Sequence, residues 1–162
     1  MASAWVIDAS PIICLARAGH LDLLEEPGVD SLVPEAVAAE ILRGPLADPA
    51  RERIAQGWGS RLHLESVPGR ILEWSLGPGE SAVLAAVLER PGSTAILDDA
   101  EARACARALG VPVFGTLGLI LRARRRGRIP SAAALVRDLR GAGLFVDPAL
   151  IERVLAELGE SI

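Results

Sequence analysis

The chain has 162 residues, 51% of them hydrophobic, and this length predicts a single domain (1–162) with a substantial core. Its formal net charge of −4 argues against a strongly basic nucleic-acid binder. All 17 basic residues are arginine, which excludes chemistry that depends on a lysine. No apolar run approaches the roughly 20 residues of a membrane span, and the N-terminus lacks a basic leader, so a cytoplasmic protein without membrane contact is predicted.

Strands and helices are predicted to alternate in the first half of the chain. In chain order they are a strand at 4–7, a helix at 10–19, a weak strand at 30–33, a helix from Pro34 to Gly44, a less regular helix within 46–61 and a strand at 63–67. In the first helix, Ser10 is the predicted N-cap and Pro11 suits the first helical position.

The alternation continues in the second half. The predicted elements are a helix from 77–79 to Arg90, a strand at 94–97, a helix at 99–110, a strand at 111–115 and helices at about 116–126, 131–140 and 148–158. Such alternation predicts an α/β fold with a parallel sheet covered on both faces. Ligands of these sheets bind beyond the carboxyl ends of the strands.

Five acidic residues lie at strand ends or on helix borders: Asp8, Glu40, Glu80, Asp98 and Asp99. A buried unpaired charge costs several kcal/mol or shifts its pKa, so carboxylates are poor core residues at such positions. Gathered in one cleft, they would offer the oxygen ligands that hard divalent cations prefer.

Helix capping is the alternative explanation for some of these acids. Asp98 and Glu101 have the spacing of a capping box, which makes Asp98 a candidate N-cap. Glu80 lies in a first helical turn, where the helix dipole favours an acid.

Asp8 and Glu40 are less well explained in this way. Ser10 is expected to cap the helix after Asp8, which leaves the Asp8 carboxylate without that role. Glu40 lies beside the apolar stripe that includes Val37 and Ile41, so it either pairs with an arginine or faces a cleft.

Arginines are concentrated in one segment near the C-terminal end of a predicted helix. The five are Arg122, Arg124, Arg125, Arg126 and Arg128. They fit either a solvated helix end, where the dipole favours cations, or a patch that contacts phosphates.

Four segments resemble, in this order, those of a PIN domain: DASPII from Asp8, VPEAVAAEI, LGPGES and ILDDAEARACARALGVPVFGTLGLI. The resemblance covers residues 4 to about 160 and is greatest to the VapC-like bacterial and archaeal branch, in its small subgroup with GPGE and GTLGLI segments. It implies a three-layer α/β/α fold with a central parallel sheet, an acidic site for Mg²⁺ or Mn²⁺, and endoribonuclease activity.

The resemblance assigns the acids as catalytic metal ligands. Asp8 matches the aspartate after the first strand, Glu40 a helix glutamate, and Glu80 an acid for which many VapC proteins have aspartate. Either Asp98 or Asp99 matches the last strand-end aspartate, and Asp99 fits the Thr-x-Asp arrangement of the family slightly better.

Three further residues are predicted to bind the substrate. Ser10 and Thr116 match small hydroxyl positions that line the site in the family. Arg103 either contacts the scissile phosphate or forms a salt bridge with Asp99 or Glu101.

The function implied by the resemblance is metal-dependent hydrolysis of RNA phosphodiester bonds. The protein would be the toxin of a toxin–antitoxin pair, would form a homodimer and would bind a cognate antitoxin. A phosphatase or receiver-like α/β domain ordinarily uses a lysine near the phosphate, so the absence of lysine argues against both. A catalytically inactive PIN-fold binding module remains an alternative.

Overall fold

The computed structural model describes residues 3–162. They contain a five-stranded sheet in the order β3-β2-β1-β4-β5, in which every pair of neighbouring strands is parallel. The strands are β1 Ser3–Ile7, β2 Val29–Pro34, β3 Ser60–Leu62, β4 Ser93–Ile96 and β5 Val113–Phe114. The strand order reverses between β1 and β4, and this is where open parallel sheets bind ligands.

Helices cover both faces of the sheet, so the predicted α/β/α fold is confirmed. They are α1 Ala9–Arg17, α2 Glu35–Leu42, α3 Pro49–Ala55, α4 Gly69–Leu72, α5 Pro78–Glu89, α6 Ala100–Ala108, α7 Thr116–Arg125, α8 Ala132–Gly141 and α9 Pro148–Glu157, with a short 3-10 helix at Leu21–Leu24. None of the helices within residues 3–162 is long and apolar enough to cross a membrane.

The central strands are apolar on both sides because both sides are covered. Val6 and Ile7 of β1 and Ala95 and Ile96 of β4 are each fully buried, which removes the alternation expected of a half-exposed strand. Buried side chains of these strands and of the surrounding helices form one continuous hydrophobic cluster.

The prediction of a strand at 63–67 is wrong, because β3 ends one residue before it. Leu62 pairs with Pro34, the last residue of β2, and α2 begins at the next residue. The backbone after Leu62 therefore has no neighbouring strand with which to pair. The strand predicted at 111–115 is likewise shorter and consists of Val113–Phe114 alone.

The irregular region predicted within 46–61 contains the short helix α3. Asp48 is its N-cap and accepts a hydrogen bond from the Ala50 N–H at 2.9 Å, and Pro49 occupies the first helical position. The short helices α4 and Leu21–Leu24 were not predicted, because four residues are too few for a helical hydrophobic period to be recognised.

Candidate active site

Asp8 lies at the junction between β1 and α1, at the carboxyl edge of the sheet. Helix α1 begins at Ala9, so Asp8 occupies the N-cap position and the prediction of Ser10 as N-cap is wrong. Ser10 is an exposed second helical residue. The Asp8 backbone N–H donates to the Ile96 carbonyl at 3.1 Å, which fixes the end of β1 against β4.

The Asp8 carboxylate is buried but caps nothing. It makes no side-chain capping bond, and its Oδ1 atom is buried without a hydrogen-bond partner among the described residues. Its side chain is thus the kind of unsatisfied buried polar group that requires an explanation in a native fold.

The pKa of Asp8 is raised to about 7, chiefly by burial. The charges of Glu80, Glu40 and Asp98 raise it further, and the backbone N–H of Ala9 opposes them. Three of the predicted carboxylates are therefore close enough to Asp8 to disfavour its ionisation.

Glu40 and Asp8 approach each other across Gly79, near the start of α5. A Cβ atom built on Gly79 would lie 3.0 Å from Glu40 Oε2 and 3.1 Å from Asp8 Oδ1. A side chain at this position would fill the space between the two carboxylates. Glu40 itself is exposed and forms no salt bridge in residues 3–162. Of the two predicted environments, an arginine partner or a cleft, the structure therefore gives Glu40 the cleft.

Glu80 lies in the first turn of α5, and its carboxylate folds back against Gly77. It is half-buried, whereas the neighbouring Gly79 and Ser81 are buried. Its position in the first turn fits the predicted interaction with the helix dipole. Glu80 also lies near Asp8, because its charge contributes to the raised pKa of Asp8.

Asp98 follows β4 and is held by the first residue of α7. Its Oδ1 accepts the Thr116 backbone N–H, and its Oδ2 accepts the Thr116 hydroxyl, both at 2.7 Å. Thr116 is fully buried, and its hydroxyl donates its hydrogen bond to Asp98. Gly115 permits this contact, because a Cβ atom there would lie 2.8 Å from Asp98 Oδ1.

Asp99 has a different environment from its neighbour. It is exposed and is the N-cap of α6, with its Oδ2 accepting the Ala102 N–H at 2.8 Å. The prediction of Asp98 as N-cap, in a capping box with Glu101, is therefore wrong by one residue. The backbone turns after Asp98, so that only Asp98 is directed toward α7.

Arg103 lies on α6 beside Asp98 but forms no salt bridge within residues 3–162. Neither Asp99 nor Glu101 is within ion-pair distance, so the predicted salt bridge is wrong. Its Nε atom is buried without a partner in the described part of the chain. One turn later, Arg107 lines a cavity together with Arg103 and Asp98 and is also without an ion pair among residues 3–162. Arg107 was not predicted from the sequence, although its i, i+4 spacing from Arg103 places both on one helix face.

The five arginines at 122–128 are held by acids and carbonyls of the protein. Arg122 and Arg126 bind the buried Glu26, Arg124 binds Glu160, Arg125 binds Glu157, and Arg128 donates to the carbonyls of Asp22, Leu23 and Glu25. The Arg122 guanidinium also lies 5.8 Å from the centre of the Trp5 ring. This segment is therefore a structural network of ion pairs and hydrogen bonds. The sequence analysis predicted either a solvated helix end or a phosphate-binding patch, and neither interpretation included these partners.

The acidic residues are near one another without forming a closed set of ligands. No group of three or more His, Cys, Asp or Glu side chains in residues 3–162 is arranged to hold a metal ion. The unpartnered Asp8 Oδ1, with Glu40 across Gly79, is still the kind of oxygen environment that suits a hard cation.

The five-stranded parallel sheet, with helices on both faces, matches a PIN-like α/β fold. The chain belongs to the family described as DUF3368: PIN domain, which matches residues 4–160. Among solved structures it is similar to one described as "Structure of the PIN domain endonuclease Utp24", with 18% sequence identity and a TM-score of 0.51, over 70% of this chain and 84% of that chain. This likeness shows the fold. A comparison with curated proteins gives no match.

Proposed function

We propose that this protein is a divalent-metal-dependent endoribonuclease that hydrolyses RNA phosphodiester bonds. Membership of the PIN-domain family supports nuclease activity, and the similar structure is described as an endonuclease. The observation that carries the proposal is the buried Asp8 Oδ1 atom, which has no hydrogen-bond partner within residues 3–162. The charges of Glu80, Glu40 and Asp98 act on the same carboxylate.

These residues fit a Mg²⁺ or Mn²⁺ ion. The charges of Glu80, Glu40 and Asp98 each raise the pKa of Asp8, and a divalent cation bound beside Asp8 would offset this repulsion. Asp8 and Asp98 are held by the ends of β1 and β4, whereas the longer side chains of Glu40 and Glu80 can turn toward an ion. We therefore assign Asp8, Glu40, Glu80 and Asp98 as its ligands.

Asp98 is preferred to Asp99 as the fourth ligand. The Asp99 carboxylate already caps α6, and the charge of Asp98 is one of those that raise the pKa of Asp8. Thr116 then acts through Asp98, because its N–H and hydroxyl fix the orientation of that carboxylate. Ser10 is exposed near Glu40 and is free to contact the substrate.

The bound ion supplies two things, activation of a water molecule for in-line attack and neutralisation of charge on the phosphate. The protein positions the acids and brings Arg103 beside Asp98, where its guanidinium can donate hydrogen bonds to a phosphate oxygen. Neither histidine is required, since His63 pairs with Glu35 and His20 with Asp138.

The biological role that we propose is the toxin of a toxin–antitoxin pair, active as a homodimer and bound by a cognate antitoxin. It rests on the sequence resemblance to the VapC-like branch. The test is expression in a bacterial host: we expect growth arrest that co-expression of the neighbouring reading frame relieves. Growth unaffected by a confirmed active nuclease would argue for a housekeeping role.

The activity is tested by cleavage of a mixed RNA pool with Mg²⁺, Mn²⁺ or EDTA. Asp8→Asn and Asp98→Asn are each expected to lose at least about 100-fold in rate, because loss of a ligand forfeits several kcal/mol of charge stabilisation. Asp99→Asn is the matched variant and is expected to keep both cleavage and stability, because asparagine caps a helix about as well as aspartate does.

Three outcomes would contradict the proposal. Equal cleavage by the wild type and Asp8→Asn would overturn the site, and cleavage in EDTA would overturn the role of the metal. A wild-type protein that binds RNA but cleaves none in any metal would instead be the inactive PIN-fold binding module.

A further inference from the structure

A cavity of about 310 Å³ opens beside the acidic site, between the start of α6 and the segment that leads into α9. Asp98 belongs both to its wall and to the acidic site. The other walls include Arg103 and Arg107 of α6 and Phe145 and Leu150 from the segment after α8. We call it the Arg103–Arg107 cavity; its volume is within the usual range of ligand pockets, about 300–1,000 Å³.

The two arginines of this cavity form no ion pair with any residue of 3–162. They are one helical turn apart, so their side chains share one face of α6. Neither forms a salt bridge in residues 3–162, and the Nε donor of Arg103 has no acceptor there. A bound anion would supply the missing acceptors, and guanidinium groups bind phosphate with two donors at once.

The acids of the cavity are already engaged. Both oxygens of Asp98 accept hydrogen bonds from Thr116. Asp147 is the N-cap of α9 and accepts the Ala149 N–H at 3.0 Å. These two carboxylates therefore have their own donors, and the guanidinium groups remain available to a ligand.

Phe145 supplies an aromatic surface at the same place. Its side chain is fully exposed, at 101% relative accessibility, whereas the other phenylalanine, Phe114, packs edge-on against Trp5 at 5.6 Å between ring centres. An exposed aromatic ring beside arginines is the combination by which proteins hold single-stranded nucleic acid, because every base has a face that stacks.

We infer that the Arg103–Arg107 cavity binds one unpaired nucleotide of single-stranded RNA next to the cleaved bond. Arg103 and Arg107 contact its phosphate, and its base stacks on Phe145. The inference rests on the proposed function for the identity of the polymer. It adds that the substrate must be single-stranded at this nucleotide, since a base in a duplex is stacked on its neighbours and cannot reach the ring.

The test is binding, measured by fluorescence anisotropy with a fluorescein-labelled single-stranded oligoribonucleotide. Every variant is made in the Asp8→Asn protein and measured in EDTA, so that cleavage does not interfere. Phe145→Ala is expected to weaken binding at least about fivefold, the lower limit for loss of one stacked base. Arg107→Ala is expected to weaken it by a similar factor, because a charge-assisted phosphate contact is lost. Phe145→Trp is expected to restore binding.

Salt dependence separates the two contacts from a general structural effect. Arg107→Ala should lower the slope of log K against log salt by about 0.7, because one phosphate contact is lost from a single strand. Phe145→Ala should leave the slope unchanged. Arg90→Ala, the matched charge control at the opposite edge of the sheet, and Leu46→Ala, an exposed apolar control, should change neither affinity nor slope.

Two results would overturn the inference. One is an affinity for single-stranded RNA that Phe145→Ala and Arg107→Ala leave unchanged although circular dichroism shows both variants folded. The other is displacement of the oligonucleotide by an equimolar amount of AMP, which would assign the cavity to a free nucleotide.

Cleavage by the protein with Asp8 intact is measured in parallel, in order to separate the two proposals. Weakened binding by both variants, with no cleavage by the wild type, would support the nucleotide site and contradict the proposed function. Cleavage by the wild type with unchanged binding by the variants would overturn the nucleotide site alone.

Discussion

Charged residues are paired differently at the two ends of the parallel strands, which we call the amino and carboxyl edges of the sheet. At the amino edge, Glu26 is buried and binds Arg122 and Arg126, so each charge has a partner. At the carboxyl edge, Asp8 is buried among other carboxylates, and the nearby Arg103 has no ion pair within residues 3–162.

The difference in charge pairing is visible in the pKa values. Hydrogen bonding to Arg122 lowers the pKa of Glu26 despite burial, with the charges of Arg126 and Arg128 adding to the effect. Burial and like charges raise the pKa of Asp8 to about 7. Paired charges stabilise the fold, whereas unpaired ones of both signs, kept close together, are typical of a site that binds a ligand.

The largest expected effect on the free energy of unfolding is that of Asp8→Asn, at the carboxyl edge. Because the pKa of Asp8 is raised in the folded protein, the folded state binds this proton more tightly than the unfolded chain does. The stability that the proton provides is lost as pH rises from about 4 to about 7. In EDTA, Asp8→Asn should therefore equal the wild type near pH 4 and exceed it at pH 8 by at most about 4 kcal/mol.

Urea unfolding between pH 4 and 8 measures this difference. Addition of Mg²⁺ should reduce it by stabilising the wild type, because an ion that binds only the folded state adds to its stability. Asp30→Asn, an exposed aspartate on β2 that forms no ion pair in residues 3–162, is the control. A constant difference across the pH range would show that the Asp8 carboxylate is not under charge repulsion.

The second prediction concerns the amino edge and has the opposite sign. Glu26→Gln should destabilise the fold by about 2 kcal/mol at pH 7, because Arg122 and Arg126 lose their charged partner. We expect less than the loss for a fully buried pair, since the two arginine side chains are 37% and 53% exposed.

Because the pKa of Glu26 is lowered in the folded protein, its contribution is present above about pH 4.3 and disappears as pH falls further. The difference between Glu26→Gln and the wild type should shrink accordingly in acid. Glu157→Gln, which removes the exposed pair with Arg125, should have little effect at any pH. A larger effect for Glu157→Gln than for Glu26→Gln would contradict the comparison.

The smallest expected effect on the free energy of unfolding is that of Arg103→Ala. It is compared with Arg122→Ala, which changes an arginine at the amino edge. Arg103→Ala should change the free energy of unfolding by no more than about 0.5 kcal/mol, because it breaks no ion pair in the described chain. Arg122→Ala should destabilise by more than this, since it removes two hydrogen bonds to Glu26 and the contact with Trp5. Thermal unfolding at pH 7 measures both, and equal losses would remove the distinction between the two edges.

Much of the fold could be predicted from local patterns. The strand at 94–97 is within one residue of β4, and the apolar run before Asp8 is β1, because a strand buried on both faces is a short continuous apolar run. The strand predicted at 63–67 could not be placed correctly, since its limit depends on where β2 ends. That limit is set by a partner strand about 30 residues away.

The candidate site could be predicted in its residue types but not in its contacts. Asp98 and Asp99 are adjacent and chemically identical, and only the path of the chain after β4 directs one to Thr116 and the other to the N-terminus of α6. Phe145 was missed because nothing in its local sequence distinguishes an exposed ring from a buried one.

The sequence by itself determined the alternation of strands and helices, the acidic residues at their junctions and the absence of lysine, since each follows from residue type and spacing. Only the tertiary structure decided which charges are paired. Glu26 and Arg122 are 96 residues apart, and no local pattern relates them. The packing of α7 against the 3-10 helix Leu21–Leu24 brings Arg122 and Arg126 to Glu26, whereas Arg103 and Arg107 have no ion pair within residues 3–162 beside the carboxylates.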